Sequence, residues 1–201
     1  MSKPLSFDEF ISWYPENSEY RYELHNGVIV EMPKATGDHS EVAGFLVAEF
    51  NFEIRKERQS WLIPKECVVK AENERSGYEP DVIILDRIAL DNEPRWKKES
   101  IITLGTTVRI AVEVVSTNWR DDYGYKLVDY EALSIPEYWI VDYLGLGGKR
   151  YIGDPKQPTL SVCQLVEGEY QIQQFRGGDR IESPAFPNLD LTAQQIFAAR
   201  R

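Results

Sequence analysis

Glu113 lies inside the run RIAVEVVS, from Arg109 to Ser116, with Ile, Val and Ala around it. A carboxylate in such a run is costly to bury unless a partner or a metal ion engages it. A second acid, Asp81, follows Pro80 in EPDVIILD, and a cation, Lys126, stands in DYGYKLVDY. Two carboxylates at bonding distance repel unless a proton or a divalent cation sits between them. Mg²⁺ is commonly held by one or two carboxylates, with waters and phosphate oxygens completing its shell. Such an ion activates a water and stabilises the charge that develops in phosphodiester hydrolysis. A neighbouring ammonium can orient that water or neutralise the transition state. The chemistry suggested by Asp81, Glu113 and Lys126 is a metal-assisted nuclease site using Mg²⁺, or Mn²⁺ in its place.

The elements that must position these groups are legible around them. Residues Arg109 to Asp142 read as strand, polar loop, helix and strand, with Pro136 stopping the helix and opening the strand EYWIVD. Side chains alternate across a strand, so Ala111, Glu113 and Val115 share one face. On the earlier strand, expected over Glu79 to Asp86, Glu79, Asp81, Ile83 and Leu85 share a face. If the two strands are neighbours, Asp81 and Glu113 meet at strand ends. In the helix, Asp122, Lys126 and Tyr130 recur at intervals of four, which puts Lys126 at the edge of the buried side.

The rest of the chain supplies the frame. Leu5 to Trp13 reads as a short helix, capped by Ser6 with Glu9 three residues on. Pro15, Asn17 and Ser18 end it. Tyr20 to Met32 reads as a hairpin around Asn26-Gly27, a pair that readily takes positive φ angles. His39 to Arg58 has helical spacing of its apolar residues. Trp61 to Val69 reads as one strand, with Pro64 marking an edge or a bulge. Glu72 to Gly77 is a polar turn, and Leu90 to Gly105 a long irregular loop. After Gly145 to Gly148, short strands are expected over Arg150–Ile152, Thr159–Val166 and Tyr170–Phe175, a β-meander turning at Glu167-Gly168. A terminal helix is expected from Asp190 to Ala199. The predicted fold class is α/β (α+β): a mixed central sheet flanked by helices, with a C-terminal β-meander extension, in one domain over residues 1–201.

Composition sets bounds on partners. The formal net charge of -10 argues against a general nucleic-acid binder, unless basic residues gather on one face or metal ions offset the repulsion. Cys67 and Cys163 lack zinc spacing and read as buried free thiols. The N-terminus MSKPLSFDEF has no apolar signal core and no run is long enough to span a bilayer, so the expected location is cytoplasmic, with no membrane partner. His25 and His39 have no HExxH partner and give no support to zinc hydrolysis. Ser116 lacks a nearby histidine base.

Asp81 after Pro80, followed by Glu113-Val114-Val115, resembles the PD-(D/E)XK nuclease signature. YELHNG, EPDVIILD, VEVVS, DYGYK and PEYWIVD, in that order, resemble the Uma family of "putative restriction endonucleases", as does the terminal SPAFPNLDL. The resemblance runs from about Phe7 to Phe197. It implies a restriction-endonuclease-like core and Mg²⁺-dependent cleavage of DNA, with Asp81 and Glu113 as metal ligands and Lys126 as the catalytic lysine. The superfamily pattern expects lysine two residues after the acid, where this chain has Val115; the Uma pattern resembles one with the lysine moved to the following helix. Glu23, in YELHNG, matches the family's N-terminal acid and is a further candidate in the site or behind it.

Each residue also has a plainer account. Asp81 can simply begin a strand, Glu113 can belong to a buried salt bridge, and Lys126 can pair with Asp122 on a solvated helix face. Glu23 can lie on the surface of its hairpin. His39 can meet phosphate, though a histidine at a helix start is more often structural. Arg95-Trp96-Lys97-Lys98 can touch DNA or belong to a solvated loop. Trp139 and Tyr138 read as core. The alternatives to a nuclease are a non-catalytic nuclease-fold binding or regulatory module, favoured by the acidic balance and Val115, and a hydrolase of small phosphoesters. A homodimer would suit the cutting of two strands, although no residue specifies it.

Overall fold

A computed structural model describes residues 3–15 and 18–200. The elements run α1 (Phe7–Trp13), β1 (Arg21–His25), β2 (Val28–Met32), α2 (Gly37–Lys56), β3 (Trp61–Leu62), β4 (Val68–Lys70), β5 (Gly77–Tyr78), β6 (Val82–Asp86), α3 (Trp96–Glu99), β7 (Ile101–Ile102), β8 (Val108–Val114), α4 (Lys126–Ala132), β9 (Glu137–Asp142), α5 (Lys149–Ile152), β10 (Thr159–Val166), β11 (Glu169–Phe175) and α6 (Ala193–Phe197). Local chemistry explains the best-formed ends. Ser6 and Glu9 make the expected capping box on α1. Asn26 and Gly27 turn the first hairpin with φ of 50° and 83°. A Cβ on Gly27 would also fall 2.5 Å from Pro4, so glycine is needed there twice over. The expected role of Asn17 in ending α1 lies outside the described residues.

The strands form two mixed sheets rather than one. The larger has the order β11-β10-β9-β8-β6-β3, and the smaller β2-β1-β5-β4-β7. Within the larger, β8 and β9 are parallel and β6 runs antiparallel to β8. Helix α2 and the terminal α6 cover one face, packing Leu46 and Phe50 with Val112, Val114 and Trp139. On the other face, Ile83, Ala111, Tyr138 and Ile140 pack with Tyr130 from α4 and Tyr78 from the smaller sheet. Glu113 faces this second side with Ala111 and Val115, as alternation requires.

Three expected elements are corrected. Residues Trp61 to Val69 are not one strand: β3 pairs with β6 in the larger sheet, while β4 pairs with β5 and β7 in the smaller. Pro64, which has no N–H to give a ladder, lies between the two pieces. Leu90 to Gly105 is not structureless, since it contains a 3₁₀ turn, α3 and β7. Arg150–Ile152 belongs to the single helical turn α5, and the meander is therefore β10 and β11 alone, added to the edge of the larger sheet at β9. Asp81 itself precedes β6, on the Glu79-Pro80-Asp81 step by which the chain leaves one sheet and enters the other. Cys67 and Cys163 are buried free thiols. Among the described residues no helix is long and apolar enough to cross a membrane.

Candidate active site

The register of β6 and β8 pairs Val82 with Val112 and Ile83 with Ala111. Extended by one pair, it sets Asp81 opposite Glu113. The Asp81 carboxylate turns onto the end of β8, where its Oδ2 accepts the Val114 N–H at 2.8 Å. The other oxygen, Oδ1, has Arg21 at 4.0 Å. Glu113 points into the second core face, where only 2% of its surface is exposed.

Lys126 reaches both sheets. Its Nζ stands 3.0 Å from Glu113 Oε2 in the larger sheet and 3.1 Å from Glu23 Oε1 in the smaller. Asp122 Oδ1 is 3.7 Å away on the same helical side. The segment feeding α4 is a π-helical turn, Asp121–Tyr125, in which the Lys126 N–H bonds to Asp121 O. A regular α-helix was the expectation here; single π turns are wider and recur at functional sites. One turn beyond Lys126, Tyr130 donates its hydroxyl to Glu113 Oε1 at 3.0 Å.

Glu23 is held from three sides. Besides Lys126, it accepts the Glu79 N–H at 3.0 Å, and its Oε2 lies 2.8 Å from His25 Nε2. Asp81 is likewise supported by a histidine: His39 Nε2 is 3.2 Å from Asp81 Oδ2 and 2.9 Å from the Val114 carbonyl. His39 comes from the first turn of α2, where Thr36 caps the helix. Asp81, Glu113, Lys126, Glu23, His39 and Asp122 line one cleft of about 220 Å³.

One buried ammonium thus faces three buried carboxylates. Burial favours the neutral form of Lys126, but Glu113, Glu23 and Asp122 outweigh it and hold the ammonium proton well above the usual range. Burial also pushes each acid up. In Glu23 the attraction of Lys126 and the His25 contact win, and its carboxyl is held down at about 2. In Glu113 burial wins over Lys126, aided by Asp81 and Asp122, and the carboxyl stays well above its ordinary value. Asp122, buried and close to the same acids, is raised to about 7. The cluster therefore holds one firm carboxylate and two acids that keep their protons easily, a separation of affinities common where acid–base or metal chemistry occurs.

All four residues singled out from the sequence, Asp81, Glu113, Lys126 and Glu23, are brought together. Val115, at the place where a lysine was expected, is fully buried in the core. The sequence reading set both histidines aside. His39 carried a weak signal, its place at a helix start; His25 carried another, since two residues along β1 from Glu23 it shares that acid's face by strand alternation. Asp122 does pair with Lys126 four residues on, at 3.7 Å, but the pair is buried in the cluster rather than on a solvated helix face. Arg95 is tied to Asp8 at 2.6 Å and to Glu99 at 2.7 Å, so it braces α1 against α3.

The fold and the sequence both have relatives. The crystal structure of "a putative nuclease belonging to DUF820" from Anabaena variabilis superposes with a TM-score of 0.73, covering 98% of this chain and 99% of that chain at 17% identity. At that identity the likeness speaks for the fold. No curated protein matches the sequence. The family model described as "Putative restriction endonuclease", Uma2, matches residues 7–194, a span that contains every residue of the cleft, and the chain belongs to that family.

Proposed function

We propose that the protein is a metal-dependent endonuclease of the PD-(D/E)XK type that hydrolyses phosphodiester bonds of DNA, with Asp81 and Glu113 as metal ligands, Lys126 as the catalytic cation and Glu23 as its second anchor. The observation that carries the reading is the Lys126 ammonium held between Glu113 and Glu23 beside Asp81. That ammonium is shared among Glu113, Glu23 and Asp122 rather than paired with one acid, and burial raises the carboxyls of Glu113 and Asp122 above their ordinary values.

The donor set suits Mg²⁺ or Mn²⁺. Among the described residues no three His, Cys, Asp or Glu side chains are grouped to chelate an ion by themselves. Mg²⁺ does not require that, since one or two carboxylates with water and phosphate oxygens are its common shell. Among the described residues Asp81 Oδ1 has only the distant Arg21 as an ionic partner, and Glu113 would share oxygens now given to Lys126 and Tyr130. Bound there, the ion would supply positive charge to the phosphate and lower the pKa of a water.

The chain's own groups have separate tasks. Lys126 places a fixed charge at the cleft, where it stabilises negative charge developing on the phosphate or orients the attacking water. Glu23 and Tyr130 keep that ammonium and Glu113 from turning away. His39 and the Val114 N–H fix the Asp81 carboxylate so that its second oxygen faces the cleft.

The test is cleavage of supercoiled and single-stranded DNA with Mg²⁺ or Mn²⁺, wild type beside Glu113→Gln, with ion binding followed by calorimetry. The expected result is metal-dependent cutting that the variant loses, by a factor of about 100 or more. A wild type that neither cuts nor binds the ion would leave a non-catalytic binding module. Cutting that persists in Glu113→Gln would place the site elsewhere.

A further inference from the structure

A second cavity opens beside the cleft. It is a groove of about 1170 Å³ between the π-helical turn with α4 and the Gly148–Tyr151 turn, and Asp121 lines both it and the cleft. Its walls carry Trp119, Tyr125 and Tyr151 together with Arg120, Lys149 and Arg150. In a chain with a formal charge of -10 this is a local concentration of cations.

The aromatic and basic groups interleave. The Arg120 guanidinium lies 4.5 Å over the Trp119 ring, and Arg150 lies 4.4 Å over Tyr151. Lys156 approaches the Trp119 ring at 5.9 Å. Tyr151 is fixed from behind by stacking on buried Tyr123, ring centres 4.8 Å apart. Tyr125 and Val128, by contrast, leave 51% and 62% of their surfaces exposed. Two acids face the groove as well. Asp129 accepts from Tyr78 at 2.6 Å and Asn73 at 3.0 Å, and Asp121 lies 3.9 Å from His25. Lys149 is paired with Asp154 at 2.8 Å, but both are mostly exposed, and such a pair opens at little cost.

We infer that this groove binds an unpaired strand of nucleic acid, its phosphates on Arg120, Lys149 and Arg150 and a base on Tyr125, and leads it to the cleft at Asp121. The strand's destination rests on the nuclease reading; the binding itself does not. Exposed aromatic faces set among cations are what a single strand uses, because every base has a face to stack and every linkage a charge to neutralise. A duplex keeps its bases stacked on one another and gains nothing from Tyr125. An acidic peptide would use the cations and leave the aromatic face idle.

The experiment is fluorescence anisotropy of a labelled oligo-dT of about fifteen nucleotides with chelator present, over a salt series, on the full chain. Arg120→Glu/Arg150→Glu is expected to weaken binding at least about tenfold and to lower the salt slope by about 1.4, two contacts' worth. Tyr125→Ala, an exposed site, is expected to weaken it about five- to tenfold, and it carries the test if the double variant does not fold. The charge-matched control Arg55→Glu/Arg87→Glu is expected to stay within about twofold. Four results would overturn the groove: no oligo-dT binding by wild type at low salt, normal binding by the groove variants, an equal loss in the control, or displacement by polyglutamate as effective as by unlabelled oligo-dT. If the protein cuts DNA but the groove variants bind normally, the groove falls and the nuclease stands. If it cuts nothing and the groove variants lose the oligonucleotide, the groove stands and the nuclease falls.

Discussion

Glu113 and Glu137 sit on adjacent parallel strands, β8 and β9, and are buried to nearly the same degree, 2% and 1% exposed. Burial pushes both carboxyls above their ordinary values. Their partners differ. Among the described residues Glu137 receives neutral donors only: Trp139 Nε1 at 2.6 Å and Ser183 Oγ at 2.7 Å on one oxygen, and the Ala185 N–H at 2.9 Å on the other. It pins the segment after β11 to the sheet. Glu113 has one hydroxyl and a share of one ammonium, with Asp81, Asp122 and Glu23 close enough to raise its pKa further. Burial alone does not mark an acid as reactive; a carboxylate short of positive charge, next to others in the same condition, does.

Removing the shared charge should have the largest effect. Lys126→Met leaves Glu23, Glu113 and Asp122 without the cation they face. Breaking a buried pair from one side typically costs about 3–5 kcal/mol, and urea denaturation at neutral pH should show a loss of that size. Cleavage of DNA should fall with it, beyond what the unfolded fraction explains. A Lys126→Met protein of wild-type stability would mean that the acids are neutralised by protons alone, and Glu113 would then resemble Glu137 more than the geometry suggests.

The second effect is on pH. In the folded chain Asp122 is raised to about 7 from an ordinary 3.8. Between those values the folded protein binds more protons than the unfolded one, so its stability falls as pH rises and is highest at the acid end of the window. The whole shift corresponds to a fall of roughly 4 kcal/mol. Glu23 contributes the opposite sign, but its depressed pKa confines that to about pH 2 to 4.5, below most of the window. Denaturation of Asp122→Asn, with a chelator present, should give a shallower decline between pH 4 and 7 than wild type. An unchanged slope would shift the blame to Glu113. The equivalent substitution at Glu137 leaves the shared cluster intact and should not remove the decline.

How much of this was legible follows from what holds each part. Asn26-Gly27 and the Ser6 box act through nearest neighbours, and residues that act locally can be read locally. Asp81 and Glu113 were legible because strand alternation is a property of the chain itself, and an acid among Val and Ile is an anomaly wherever it occurs. The smaller sheet was not legible beyond its hairpin, because β4, β5 and β7 are two or three residues long, too short for a pattern. Their pairing is decided by what they pack against. His25 meets Glu23 by strand alternation alone, but its approach to Asp121 was hidden, because that depends on β1 lying across from the π turn. The π turn was hidden too, since Asp122 and Lys126 have the same spacing in sequence whether or not the helix widens between them.

The smallest effect is also the sharpest separation of the two glutamates. Glu137→Gln keeps one acceptor oxygen where three donors converge, and its amide must face at least one of them. A buried donor left unsatisfied costs about 1–3 kcal/mol, so this variant should lose that much in a urea titration and keep its cleavage activity. Glu113→Gln imitates the protonated acid that the buried site already favours. Its amide can face the Tyr130 hydroxyl, which accepts as readily as it donates, and its carbonyl can face Lys126. That variant should hold wild-type stability within about 1 kcal/mol while losing cleavage. Equal losses of stability in the two variants would erase the distinction, because Glu113 would then be a structural acid whose partners happen to be charged.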